Sequence, residues 1–422
     1  MKIKLSLALI CLISVNSWAV KLSDYHPYKF EVLFTNPVCE TYEYNRAVTT
    51  HSGKTETSKP DDVYCKPSDE EASVSRKNAP QYRLVEWITS DSTKEIDAAY
   101  LSFSSKNIVH AFCSALRKGV KVNLILDGHP ETDTNKDAEG LKKCGSITVT
   151  YRGSTGGLGY AHNKILIVNP KDARETKIVF SSGNMTSGTS INHENWNFIT
   201  TSPKSYFAQT HNCVISAMIE AGDTKGNFRN HLNNCRSRIK APRESDITVY
   251  FSPVDGNEAL RELTAAANHS VQIEAISHRF SGAIAKLFTK LVEQKKDIKL
   301  ILDDDIYWSS VLRRDIGRNT RIEAFKIYNE LINKGLITRF LQTNQNIYQL
   351  QHNKFLIFTF NRGGAVFTGA GNMTTAAFTK NFENFYYITV PEVVEAYNKQ
   401  YDLYFNKMAT SPEDMPRDYV LP

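Results

Sequence analysis

Apolar and polar positions fall into the same order twice along the 422-residue chain. VKVNLILDG, whose apolar run ends at Asp127, and DIKLILDDD, whose run ends at Asp303, are short segments rich in Val, Ile and Leu. Both predict buried strands. Each follows a strand and then an amphipathic helix: IDAAYLSFS with SKNIVHAFCSALRKG, and VQIEAISHRF with SGAIAKLFTKLVEQKK. Strand, helix, strand implies a parallel crossover in each copy, and hence an α/β fold.

The match continues downstream through AHNKILIVN and QHNKFLIFT, SSGNMTSG and GAGNMTTA, and INHENWNFI and KNFENFYYI. The offset is 176 between Asp127 and Asp303, 190 between His162 and His352, and 188 between Asn184 and Asn372. One step followed by a near-constant offset marks an internal duplication, with 14 residues inserted in the second copy between Asp303 and His352. Upstream, EVLFTNPV pairs with TVYFSPV at an offset of 216, so the first copy carries extra residues at about 39–80. This stretch is polar, rich in Thr, Ser, Glu and Lys, and reads as a surface insertion held by its own cysteines. The expected division is 1–19 leader, 20–245 first copy and 246–422 second copy.

The leader is read from Lys2 and Lys4, an apolar run from Leu5 to Val15, and Ser17-Trp18-Ala19 as a small-x-small cleavage site before Val20. No later run is long enough to span a bilayer. The chain is therefore expected to be exported, periplasmic or secreted, and without a transmembrane segment once mature. Cys39, Cys65, Cys113, Cys144, Cys213 and Cys235 then remain, an even set that predicts disulfides outside the cytosol. Nearest-neighbour pairing joins Cys39 with Cys65, Cys113 with Cys144, and Cys213 with Cys235. None has the C-x-x-C spacing of a zinc site, and no metal or cofactor is expected. The net charge of +6 falls to +4 without Lys2 and Lys4, which favours anionic partners without choosing among them.

Within each copy His-Asn-Lys opens an apolar strand, so alternation puts His162 with Lys164, and His352 with Lys354, on one face. A second strand then ends in Gly-Asn-Met-Thr at Asn184 or Asn372, and Asn-x-Glu-Asn follows with Glu194 or Glu383. Two copies face to face would set two imidazoles across one anion site. A neutral imidazole can attack phosphorus, and a protonated one can give its proton to the departing oxygen. Lysine and amide donors would hold the non-bridging oxygens, and a carboxylate on the remote ring nitrogen would fix each tautomer.

At these residues the sequence resembles the phospholipase D superfamily, in motif style its short branch of bacterial nucleases and mitochondrial cardiolipin hydrolase. The resemblance covers both copies outside 39–80. It implies two phospholipase D-like domains, each a mixed sheet flanked by helices, related by a pseudo-twofold about a shared active site. It implies catalytic roles for His162, Lys164, Asn184, Glu194, His352, Lys354, Asn372 and Glu383, with His162 as nucleophile and His352 as acid and base. Ser182 matches the family's Gly-Ser-x-Asn serine, where Ala370 stands in the second copy. The family's aspartate five residues after the lysine is replaced by Asn169 and Thr359.

The implied function is that of an exported, metal-independent phosphodiesterase hydrolysing phospholipid headgroup esters. The alternatives are a non-specific endonuclease and a catalytically inactive anion-binding protein. A monomer in peripheral contact with an anionic membrane is expected. The loop Gly153 to Gly159 lacks Gly-Lys-Ser/Thr and precedes a strand, so it reads as a rim loop. His129, His193 and His278 lack ligand-spaced companions and read as structural or exposed. Phe382, Phe385, Tyr386 and Tyr387 read as a core strand. The 14-residue insertion carries Trp308, Arg313, Arg314, Arg318 and Arg321, either on a solvated helix or as an anion-gathering wall beside the site.

Overall fold

The computed structural model describes residues 28–35, 43–58, 69–129, 136–153, 158–171, 174–222, 224–242, 244–280, 283–313, 322–343 and 349–419. The leader, Cys39, Cys65, Arg314, Arg318 and Arg321 lie outside them. In chain order the first half gives β1 (Lys29–Phe34), β2 (Glu43–Thr49), β3 (Thr55–Ser58), β4 (Glu95–Tyr100), β5 (Lys121–Asp127), β6 (Ile147–Arg152), β7 (Lys164–Val168), β8 (Thr176–Ser181) and β9 (Asn195–Thr201). The second half gives β10 (Ile247–Ser252), β11 (Gln272–Ser277), β12 (Asp297–Asp303), β13 (Ile337–Leu341), β14 (Lys354–Thr359), β15 (Gly364–Gly369) and β16 (Glu383–Ile388).

Two seven-stranded sheets form, in the orders β1-β9-β8-β7-β4-β5-β6 and β10-β16-β15-β14-β11-β12-β13. Strand for strand these are one topology used twice. β4 and β5 are parallel, as are β11 and β12, whereas β7 and β14 run antiparallel to the neighbouring β4 and β11. Mixed sheets follow because the crossover helix returns the chain in the same direction, while the later short turns reverse it.

Strand alternation explains why the apolar runs are continuous. Along β7, Ile165 and Ile167 join a central core that holds residues of both halves, and Leu166 and Val168 join a core confined to the first half. Along β14, Phe355 and Ile357 enter the same central core, while Leu356 and Phe358 enter one confined to the second half. The central strands of each sheet are thus buried on both faces. The outer faces are covered by helices of matching period. Lys106–Arg117 buries Ile108, Ala111, Phe112, Ala115 and Leu116, with the Ser105 hydroxyl accepting from the Ile108 amide at its start. Ala283–Glu293 buries Ile284, Leu287, Phe288 and Leu291 in the other half.

The stretch at 39–80 reaches further than its polar composition implies. In the described part, β2 and β3 form a hairpin whose tip pairs with the C-terminal segment of the second half, through Thr50 opposite Pro416 and Arg417 N–H donating to Thr49 O at 3.1 Å. Disulfides join Cys113 to Cys144 and Cys213 to Cys235. No helix among the described residues is long and apolar enough to cross a membrane.

Candidate functional site

The two His-Asn-Lys segments meet where the sheets face each other, and short parallel bridges sew them together. Ala161 pairs with Phe382, and Gln351 pairs with His193. His162 N–H donates to Phe382 O, and His352 N–H donates to His193 O, each at 2.9 Å. One copy's histidine is therefore held against the other copy's Asn-x-Glu-Asn segment, by the same contact made twice.

The side chains follow the backbone. His162 Nδ1 lies 2.7 Å from Glu383 Oε2, and His352 Nδ1 lies 2.9 Å from Glu194 Oε1. Each carboxylate serves the histidine of the opposite copy through its Nδ1. The asparagine after each glutamate repeats the exchange: Asn384 Oδ1 accepts from Lys164 N–H at 2.9 Å, and Asn195 Oδ1 accepts from Lys354 N–H at 3.3 Å. Lys164 Nζ donates to His162 O at 3.0 Å and sits 3.2 Å from His162 Nε2. Lys354 Nζ donates to His352 O at 2.7 Å and to Ser182 O at 3.3 Å. Asn184 and Asn372 follow β8 and β15 half-buried, with side-chain carbonyls that have no partner among the described residues. All eight expected residues thus come from two copies to one end of the paired sheets.

Electrostatics set the site's resting state. Burial lowers His162, opposed by Glu383 and reinforced by Lys164. Burial, followed by Lys354, holds His352 well below the ordinary imidazole range. Burial pushes Lys164 down to about 8 and Glu194 up to about 8, and with Lys164 nearby it takes Lys354 well below the usual amine range. Packing two lysines and two imidazoles together out of water lowers the proton affinity of each. An anion bound among them would raise that affinity again. Among the described residues no group of three or more His, Cys, Asp or Glu is placed to hold a metal ion.

Two carboxylates that brace the site escaped the sequence reading. Asp127 and Asp303, at the ends of β5 and β12, accept from Ala161 N–H at 2.6 Å and Gln351 N–H at 2.9 Å, one residue before each histidine. Their signal was the Ile-Leu-Asp at matching places in both copies. His278, expected to be structural or exposed, is buried at the end of β11, its ring 5.5 Å from that of His352. His193 is buried under the bridge to Gln351, and His129 lies beside Asp127.

Other expectations resolve differently. Asn169 ends β7 with φ 58°, and its Oδ1 accepts from Lys94 N–H at 2.8 Å while its Nδ2 donates to Ser92 O at 2.9 Å. An amide thus ties the far end of the strand, where asparagine tolerates left-handed backbone. Thr359 pairs with Gln272 at the equivalent end of β14. Trp308 is neither on a solvated face nor on a wall: it is fully buried in the second half's core, its Nε1 donating to Asp304 Oδ2 at 3.2 Å. Phe382, Phe385 and Tyr386 are buried, with Tyr386 stacked on Phe180 across the two halves at 3.6 Å between ring centroids.

The family described as "Cardiolipin synthase, PLD-like domain" matches residues 85–218 and 235–408, one match on each copy. The chain belongs to this phospholipase D-like family. Among solved structures, phosphatidylserine synthase of Haemophilus influenzae Rd KW20 is similar at 12% identity and TM-score 0.56, over 79% of this chain and 85% of its own. Polyphosphate kinase of Porphyromonas gingivalis is similar at 12% identity and TM-score 0.50, and this chain, 81% covered, spans about half (49%) of it. Nuc, a phospholipase D family member of Salmonella typhimurium, aligns at 22% identity and TM-score 0.31 over 39% of this chain and 96% of its own. Likenesses at such identities concern the fold alone. A search of curated protein sequences finds no match.

Proposed function

We propose that the chain is an exported, metal-independent phosphodiesterase that cleaves phospholipid headgroup esters through a phosphohistidine. The observation that carries this reading is the reciprocal pair of histidine–glutamate contacts around two lysines. In the first step, His162 Nε2 attacks phosphorus, with Glu383 stabilising the positive charge that forms on its ring. His352 Nε2, held by Glu194, gives its proton to the leaving oxygen. Lys164, Lys354 and the amides of Asn184 and Asn372 hold the non-bridging oxygens. Water then attacks phosphorus, His352 recovers a proton, and the P–N bond to His162 breaks. A lipid substrate is supported by the phospholipid named in the description of the family that matches both copies. Export is supported by the two disulfides in a chain that opens with a leader-like sequence.

The test offers purified protein labelled phosphatidyl lipids and single- and double-stranded DNA side by side, each with EDTA. Headgroup release from lipid that survives the chelator is expected. Cleavage of DNA alone replaces the substrate class, and complete loss with EDTA that a divalent ion restores overturns the mechanism. Mass spectrometry of quenched His352→Ala should find phosphorus on His162. An adduct on His352 in the converse variant would reverse the two roles.

A further inference from the structure

The duplication makes the two motif histidines alike, yet the residue following the matched strands differs. β4 ends with Tyr100 opposite Lys164, and β11 ends with Ser277 opposite Lys354, so Leu101 and His278 occupy equivalent places. The second copy therefore places a third imidazole beside His352, their ring centroids 5.5 Å apart, with no counterpart beside His162. His278 is 8% exposed, and its Nδ1 donates to Gln351 O at 3.0 Å. That bond fixes the tautomer: the proton is on Nδ1, and Nε2 carries a lone pair that no described residue engages. Burial comes first, then Arg279 and Lys354, in holding the ring well below its ordinary protonation range. It is thus an acceptor, and a phosphoryl oxygen, which needs a donor, is not what it receives.

On the proposed reading, His352 is the base for the incoming nucleophile, so that nucleophile arrives between His352 and its neighbour 5.5 Å away. We infer that His278 is a positioning residue that selects water over simple alcohols as the acceptor for the phosphohistidine. Water has two O–H groups. One can point to His352 Nε2 and the other to His278 Nε2 while the oxygen lone pair faces phosphorus. As the new P–O bond forms, the P–N bond breaks and its electron pair returns to His162. One water proton passes to His352, and the other remains on the product's new hydroxyl. A monofunctional alcohol has a single O–H, which His352 takes, so its carbon chain would face the His278 lone pair and leave a buried acceptor unpaired. Losing such a bond disfavours the alcohol by about ten-fold. A vicinal diol escapes the penalty through its second hydroxyl.

The test uses bis(p-nitrophenyl) phosphate in buffer containing 1-propanol or glycerol, measuring p-nitrophenyl phosphate against the alkyl ester. The wild-type protein should favour hydrolysis over propyl transfer and accept glycerol better than propanol. His278→Leu, which installs the first copy's residue, should raise the propyl ester to hydrolysis ratio about ten-fold. His278→Gln, whose Oε1 can stand near the Nε2 position, should keep the wild-type ratio. If His278→Leu fails to fold, His278→Ala serves as the acceptor-free variant. An equal ratio in the wild type and the acceptor-free variant, or in Gln and Leu variants, overturns the inference and leaves the phosphodiesterase reading standing. No nitrophenol release and no phosphohistidine in the wild type would instead sink that reading itself.

Discussion

At the scale of single residues, a carboxylate and the histidine it orients belong to different copies. This exchange makes a prediction that an arrangement within each copy would not. Glu383→Gln should slow formation of the adduct on His162, and Glu194→Gln should slow proton transfer at His352, each by roughly 10- to 100-fold for a charge-assisted hydrogen bond. Double-mutant cycles measured by single-turnover kinetics should find strong coupling for His162 with Glu383 and weak coupling for His162 with Glu194. Equal coupling would contradict the exchange. The same residues set a pH dependence. Lys164, held down to about 8 by burial, loses its positive charge as pH rises through that value, and Glu194, pushed up to about 8 by burial, gains a negative one. Both changes weaken anion binding in the same direction. Affinity for inorganic phosphate, measured by calorimetry, should therefore fall as pH rises through about 8, and Lys164→Met should make that fall shallower, leaving the part due to Glu194. The two histidines, two lysines, two asparagines and two glutamates were legible because the duplication printed each motif twice. Which glutamate meets which histidine was not, since aligning two copies establishes equivalence and not partnership. His278 was hidden for the opposite reason, having leucine as its counterpart.

At the scale of elements, the Gly-Asn-Met-Thr turn shows why glycine opens it. A Cβ at Gly183 would lie 1.8 Å from Glu194 Oε2 and 2.6 Å from Trp196 Cζ2. The turn backbone thus presses directly on the carboxylate that orients His352. Gly183→Ala should displace Glu194 and lower kcat at least ten-fold, with a loss of stability of about 1–3 kcal/mol from overpacking. Activity and denaturant unfolding measured together check this, and an unchanged kcat would show that Glu194 tolerates the shift. The parallel β4 and β5 crossover and the β7 to β8 hairpin were readable because residue period and turn composition are local signals. The tip of the β2 and β3 hairpin against residues 413–417 was not, because that pairing joins chain segments more than 350 residues apart and leaves no local pattern. Trp308 lay in an arginine-rich insertion and drew a surface reading. Its burial comes from a helix, Asp304–Leu312, that turns its indole into the core and pairs it with Asp304.

At the scale of the whole molecule, the central core takes Phe180 from one half and Tyr386 from the other, and the site lies where the sheets meet, so each half supplies part of it. Covalent reinforcement is uneven. The described disulfides, with sequence separations of 31 and 22, are both in the first half. Cross-links of that span restrict the unfolded chain by roughly 3–4 kcal/mol each. Cys113 tethers the Lys106–Arg117 helix to the segment before β6, and Cys213 ties the helix Tyr206–Glu220, which packs on the central core, to Lys225–Arg236. Reduction should loosen the first half most, and the consequence should reach the second. Glu194 and His193, both first-half residues, position His352 through a side-chain and a backbone contact. Treatment with a reductant should therefore impair proton transfer at His352, although that histidine lies in the half without a described disulfide. Hydrogen exchange would show amides of Lys106–Arg117 and Tyr206–Glu220 losing protection first, with kcat falling in step. If kcat instead survives while those helices exchange freely, the orientation of His352 does not depend on the first half's integrity, and the shared site is more robust than its contacts imply.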